Sequence, residues 1–109
     1  PAPWMIFKNM QLLDVYPPAA VVTIDDTTVG IEAGINAGTW TVGVVETGNM
    51  LGLSASELTE LDSGERERRG AEGRKKLLEA GAHIVLKSVA ELPQGLAAIE
   101  QRLAAGERP

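Results

Sequence analysis

Val21-Val22-Thr23-Ile24-Asp25-Asp26-Thr27 decides how this chain folds, together with Asn36-Ala37-Gly38-Thr39-Trp40-Thr41-Val42-Gly43-Val44 downstream. Val21 to Ile24 is an unbroken β-branched run, the pattern of a short strand buried on both faces. Trp40 to Val45 reads as a second strand of the same kind. Between them lies a helix from Thr28 or Val29 to Ala37, with Ile31 and Ile35 at i, i+4 and Gly38 placed to cap its end. Gly30 and Gly34 fall inside that helix, where each costs up to ~1 kcal/mol against alanine. Their spacing predicts close packing against a strand. Strand, helix, strand implies parallel pairing through a right-handed crossover.

The pattern extends in both directions. Pro3 to Val15 reads as a helix with Ile6, Met10 and Leu13 on one face, and Trp4, like Trp40, as core. Tyr16-Pro17-Pro18 ends it, because a residue before proline is pushed out of the α region. Glu46 to Leu53 is a loop, with Met50 packing inside it. Ser54-Ala55-Ser56-Glu57 has the form of a capping box opening a short helix. Asp62 to Ala80 is a highly charged helix, and its alternating Glu and Arg/Lys predict a solvated face laced by i, i+4 pairs. Gly81 caps it. Ala82 to Leu86 is a third strand, beginning near His83. Ala90 to Ala104 closes the chain as an amphipathic helix with Leu92, Leu96, Ile99 and Leu103 inward, and Gly106 to Pro109 frays. The order is αβαβααβα: an α/β fold of about three parallel strands flanked by helices.

Composition narrows the function classes. The 109 residues make at most one domain, and 44% apolar with 23% charged content suits a globular one. A net charge of −5 and a pI of about 4.8 lack the basic footprint that nucleic acid or an anionic membrane demands. No apolar run approaches the ~20 residues of a membrane span, and the first residues lack the basic and apolar regions of a secretory signal. The absence of cysteine removes disulfides and thiolate chemistry, and is compatible with the cytoplasm. One histidine cannot build a histidine-rich metal cluster.

Ligands of parallel α/β sheets bind at the carboxyl ends of the strands. Asp25 and Asp26 stand at that end of the first strand, immediately before a helix. Adjacent carboxylates there suit a hard cation such as Mg²⁺, which takes one or two carboxylates and completes its shell with water and phosphate. The competing reading is capping alone, since Asp and Thr are favoured before a helix for their side-chain acceptors. Lys8 and Lys87 read as solvated, and His83 as a capped or solvent-facing histidine. Thr47 and Asn49 lie in the loop after the second strand, at the carboxyl-end face, where they either touch a substrate or serve as ordinary loop polarity. No Ser-His-Asp set, phosphate-cradling glycine loop or zinc motif is present.

Pro1-Ala2-Pro3-Trp4-Met5 and the two stretches quoted first resemble the C-terminal part of phosphonoacetaldehyde hydrolases, of the haloacid dehalogenase (HAD) superfamily. The likeness covers residues 1–109 and implies a partial HAD-like Rossmannoid core. It also implies hydrolysis of the carbon–phosphorus bond of phosphonoacetaldehyde, a step in phosphonate degradation. The cap domain with its Schiff-base lysine, the nucleophile strand and a phosphate-binding arginine are expected before Pro1, so no catalytic residue is assigned within this chain. In HAD phosphatases the strand corresponding to the first one here ends in Gly-Asp, with a second acid four residues after that aspartate. The matched aspartate is Asp26; the glycine position holds Asp25 and the second acid position holds Gly30. The Mg²⁺ ligands implied are Asp26, with Asp25 as a substitute for the missing acid, although alternate strand residues face opposite ways.

The resembled sheet order puts the absent nucleophile strand beside Val21–Ile24. A bare apolar edge is a template for pairing, so a homo-oligomer or a complementing chain is expected there. The other reading is a truncated HAD-like domain serving as an interaction or oligomerisation module with a decayed metal site, which Gly30 favours. A self-sufficient phosphatase fits least, because no activated nucleophile is visible.

Overall fold

The computed structural model describes residues 1–45 and 63–109, so the expected loop and capping box between them, with Thr47, Asn49 and Met50, lie outside the described residues. Among the described residues the order is α1 (Trp4–Leu13), β1 (Val22–Asp25), α2 (Thr28–Ala37), β2 (Trp40–Val44), α3 (Ser63–Glu79), β3 (Ile84–Leu86) and α4 (Leu92–Ala104). The three strands form one parallel sheet in the order β1-β2-β3. Val22 pairs with Trp40 and Asp25 with Gly43, while Val42 pairs with Ile84 and Val44 with Leu86.

The central strand β2 is buried at every position. Its alternating side chains feed two cores. Ile31 of α2, Val45, Leu77 of α3, Ala82 and Val85 pack on one face of the sheet. Trp40, Val42, Leu86 and Ile99 of α4 pack on the other, flanked by Val22, Ile84, Leu92 and Leu103. Each fully buried Ile, Leu or Val among them contributes roughly 1.5–3 kcal/mol. The glycine expectation holds: a Cβ on Gly34 would overlap Thr23 Oγ1 and crowd Thr41, so α2 lies directly on β1 and β2. Gly38 caps α2 in the left-handed region with φ of 81°, and its N–H reaches back into the last turn. The charged helix α3 carries the pairs the sequence predicts. Arg68 bridges Glu65 and Glu72, and Arg69 joins Glu65. The two guanidiniums hold the Glu65 carboxyl down to about 2. These exposed pairs contribute little to stability.

Four packing expectations fail. β1, expected as a buried strand, is only partly covered, and Ile24 is exposed, because β1 lies at the edge of the three-stranded sheet. Trp4 is 70% exposed rather than core. Leu13 is exposed as well, although Met10 on the same face is buried. The cause is shared: α1 packs chiefly on α2, so only the stripe facing α2 is covered and the rest of its apolar surface faces outward. Leu96 is exposed where an inward position was expected: after a 3₁₀ turn at Val89–Glu91, α4 turns Gly95 and Ile99 inward, with Gly95 against Leu86, and Leu96 falls outside that stripe.

The sheet's two edges differ. Alternate backbone groups of β3 point to opposite sides. The Leu86 carbonyl accepts from Val45 N–H, while that of Val85, on the outer side, accepts from Arg74 Nη1 at 2.9 Å. The outer edge of β1 instead borders a groove of about 560 Å³ lined by apolar side chains of α1 and α2, including Met5, Ile6, Met10, Val29 and Ala33.

Candidate metal-binding turn at the end of strand β1

β1 ends at Asp25, level with Gly43 of β2, and the chain bends through Asp26 into α2. Thr27 is the helix N-cap, extended at φ −119° and ψ 153°, and its Oγ1 accepts from Gly30 N–H at 3.0 Å. Asp25 Oδ1 in turn accepts from Thr27 N–H at 2.8 Å and from the Thr27 hydroxyl at 2.7 Å. The turn is therefore a relay: the carboxylate fixes the hydroxyl, and the hydroxyl caps the helix. The capping reading is met at Thr27, and Asp-x-Thr before a helix also carries the Asx-turn signal that ties Asp25 to that cap. Asp25 and Asp26 are both half-buried. A Cβ on Gly30 would overlap the Asp25 carboxyl, so that carboxyl lies against the first turn of α2.

The two aspartates are thus brought to the carboxyl end of β1, as the sequence suggests. Their hard oxygen donors match what Mg²⁺ accepts. Among the described residues no group of three or more His, Asp and Glu could hold a metal ion. Lys8 and Lys87 are exposed, in keeping with solvated lysines.

His83 stands at the other end of the sheet. It precedes β3, and its Nδ1 accepts from Thr41 N–H at 3.0 Å. Its ring meets Trp40 edge-on at 4.9 Å. An Nδ1 that accepts a backbone N–H belongs to the neutral imidazole protonated on Nε2. Burial first, and the positive charge of Arg102 second, push His83 below its ordinary value of 6.5. The neutral form is therefore the folded form, and the unfolded chain takes up the proton first as pH falls. Stability from this contact is complete above about pH 6.5 and is lost below it. With a single histidine in the chain, a melting temperature that falls as pH drops from 7.5 to 5.5 is expected. The substitution His83→Asn, which keeps a neutral acceptor, should flatten that slope. An unchanged slope in the variant would refute the assignment.

No helix among the described residues is long and apolar enough to cross a membrane. No family profile matches the chain. Relatives are nonetheless clear. A phosphonoacetaldehyde hydrolase-like protein of Syntrophobacter fumaroxidans is 44% identical over all 109 residues, which correspond to 39% of its length. A phosphonoacetaldehyde hydrolase of Paraburkholderia phytofirmans is 45% identical, with 41% of its length covered. The crystal structure of a phosphonoacetaldehyde hydrolase-like protein from Oleispira antarctica superposes with a TM-score of 0.95 at 39% identity, over 99% of this chain and 39% of that one. The chain thus spans about two fifths of the length of these relatives. In sequence over its whole length, and in its three parallel strands flanked by helices, it is similar to the C-terminal region of phosphonoacetaldehyde hydrolases, with a HAD-like fold.

Proposed function

We propose that these residues form the metal-binding side of a core that hydrolyses phosphonoacetaldehyde to acetaldehyde and phosphate. The observation that supports this most directly is the carboxylate pair Asp25–Asp26 at the carboxyl end of β1, opening into a threonine-capped helix, in a chain that aligns along its whole length with hydrolases of that name. Asp26 is the first Mg²⁺ ligand in this reading, and Asp25 holds the turn and adds a second carboxylate. A bound Mg²⁺ would neutralise charge on the phosphoryl oxygens. The nucleophile and the amine that activates the aldehyde come from outside these residues. A cytoplasmic setting goes with this reading.

The test is a chimera in which these 109 residues replace the matching part of the Paraburkholderia phytofirmans relative. Acetaldehyde release is expected from the chimera with Mg²⁺, and none from the isolated 109-residue chain. Asp26→Ala in the chimera should lower the rate by at least ~100-fold, the scale on which a Lewis-acid contribution of several kcal/mol acts. A folded chimera that turns over equally well with Asp26→Ala would sink the assignment.

Among the described residues no strand pairs with the outer edge of β1, and that edge is the proposed seam for further strands. Its apolar groove and the outward apolar surface of α1, with Met5 81% and Leu12 71% exposed, support pairing with a complementing strand or a second copy. The same surface favours a second reading, an interaction module without catalysis. Sedimentation of the isolated chain as a stable, well-behaved monomer would count against both uses of the edge.

A further inference from the structure

Three contacts in the β1–α2 turn converge on one volume. Asp25 Oδ1 takes both the N–H and the hydroxyl of Thr27. The Thr27 hydroxyl holds Gly30 N–H. The space in which a side chain at position 30 would begin is the space the Asp25 carboxyl fills, so that any Cβ there would overlap Asp25 Cγ and both its oxygens. Gly30 is helical and its backbone lies outside the left-handed region. Its lack of a side chain answers to the carboxylate and not to backbone geometry.

We infer that positions 25 and 30 share a single carboxylate-sized space, and that Asp25 is a positioning residue that fills it from the strand, fixing Thr27 and the first turn of α2 and setting its charge beside Asp26. A side chain at position 30 and the carboxylate of Asp25 in its present place exclude each other, whereas glycine at 25 frees that space for an acid at 30. The link to metal binding rests on the reading of Asp26 as a Mg²⁺ ligand; the shared space does not.

Four variants of the 109-residue chain separate these points: Asp25→Gly, Gly30→Asp, the two combined, and Asp25→Asn. Melting temperature reads the shared space. Each single change is expected to lower it by about 5 °C or more, Gly30→Asp through overlap and like charge and Asp25→Gly through loss of the Thr27 contacts. The combined variant should melt above both singles. Addition of MgCl₂, followed by the amide resonances of Asp26 and Thr27, reads the charge. Asp25→Asn keeps the size and the Thr27 contacts, so it should melt within a few degrees of the native chain yet respond to Mg²⁺ at least several-fold more weakly. The combined variant should recover the response. A combined variant that melts no higher than the sum of the two single losses predicts overturns the inference. An Asn variant with undiminished Mg²⁺ response overturns the positioning of charge by Asp25. Recovery of melting in the combined variant, with no Mg²⁺ response in any chain including the native one, upholds the shared space and overturns the reading of Asp26 instead.

Discussion

Trp40→Ala is expected to remove a large share of the chain's stability. Trp40 is completely buried at the start of the central strand. Its ring packs with Val42, Leu86 and Ile99, its Nε1 donates to the Ala19 carbonyl at 3.0 Å, and the Arg102 guanidinium lies 4.8 Å from its centroid. Truncation of a buried tryptophan costs about 3–5 kcal/mol through lost transfer energy and the residual cavity. A domain of this size holds only roughly 5–15 kcal/mol in total. At 4–8 °C per kcal/mol, the melting temperature should drop by at least ~12 °C. Trp40→Phe retains most of the buried area and loses the Nε1 donor, so about 1–2 kcal/mol is expected. Trp4→Ala supplies the contrast. That ring is mostly exposed and touches Phe7 at a centroid distance of 6.0 Å, and its removal should stay within ~0.5 kcal/mol. Thermal melts by circular dichroism decide the matter: a Trp40→Ala chain that melts within 5 °C of the native one would refute this account of the core.

The two tryptophans also show how far the sequence reaches. Both sit next to apolar neighbours, and composition alone assigns both to the core. Trp40 belongs to a strand flanked on two sides, and β-branched patterning reveals that strand directly. Trp4 belongs to a helix, where periodicity says which face is apolar but not whether anything covers it. Met10 is buried; Leu12 and Leu13 are not. The same distinction governs the site. Two carboxylates at a strand end before a helix are visible as a motif. The filling of the Gly30 notch by Asp25 is not, because it depends on how the strand end lies against the first turn of the helix. The His83–Thr41 contact joins residues 42 apart in sequence. It exists only once β2 and β3 are in register, so the sequence leaves His83 between a capped and a solvent-facing histidine and does not name its partner.

Gly34→Val should be nearly as damaging as the loss of Trp40, and the reason separates two glycines that look alike in sequence. Gly34 and Gly70 both lie inside helices, α2 and α3. A Cβ on Gly34 would overlap Thr23 Oγ1 and press on the Thr41 methyl; a Cβ on Gly70 would meet nothing within 4 Å. The Thr23 hydroxyl also bonds Thr39 Oγ1 at 3.1 Å, and that hydroxyl donates to the Gly34 carbonyl at 3.0 Å. Forcing α2 away from the sheet therefore breaks a polar link as well as packing. Overpacking costs about 1–3 kcal/mol, and the lost hydrogen bonds add about 1 kcal/mol each, so a total near 3–5 kcal/mol is expected for valine. Gly34→Ala regains ~1 kcal/mol of helix propensity yet still overlaps, and should remain destabilising. Gly70→Ala collects the propensity without the overlap and should stabilise the chain by about 0.5–1 kcal/mol. Urea unfolding of the three variants measures the sign of each effect. Opposite signs at the two glycines follow from helix α2 lying directly on β1 and β2; equal signs would mean that it does not, and the placement of Asp25, Thr27 and Gly30 at the end of β1 would lose its support with it.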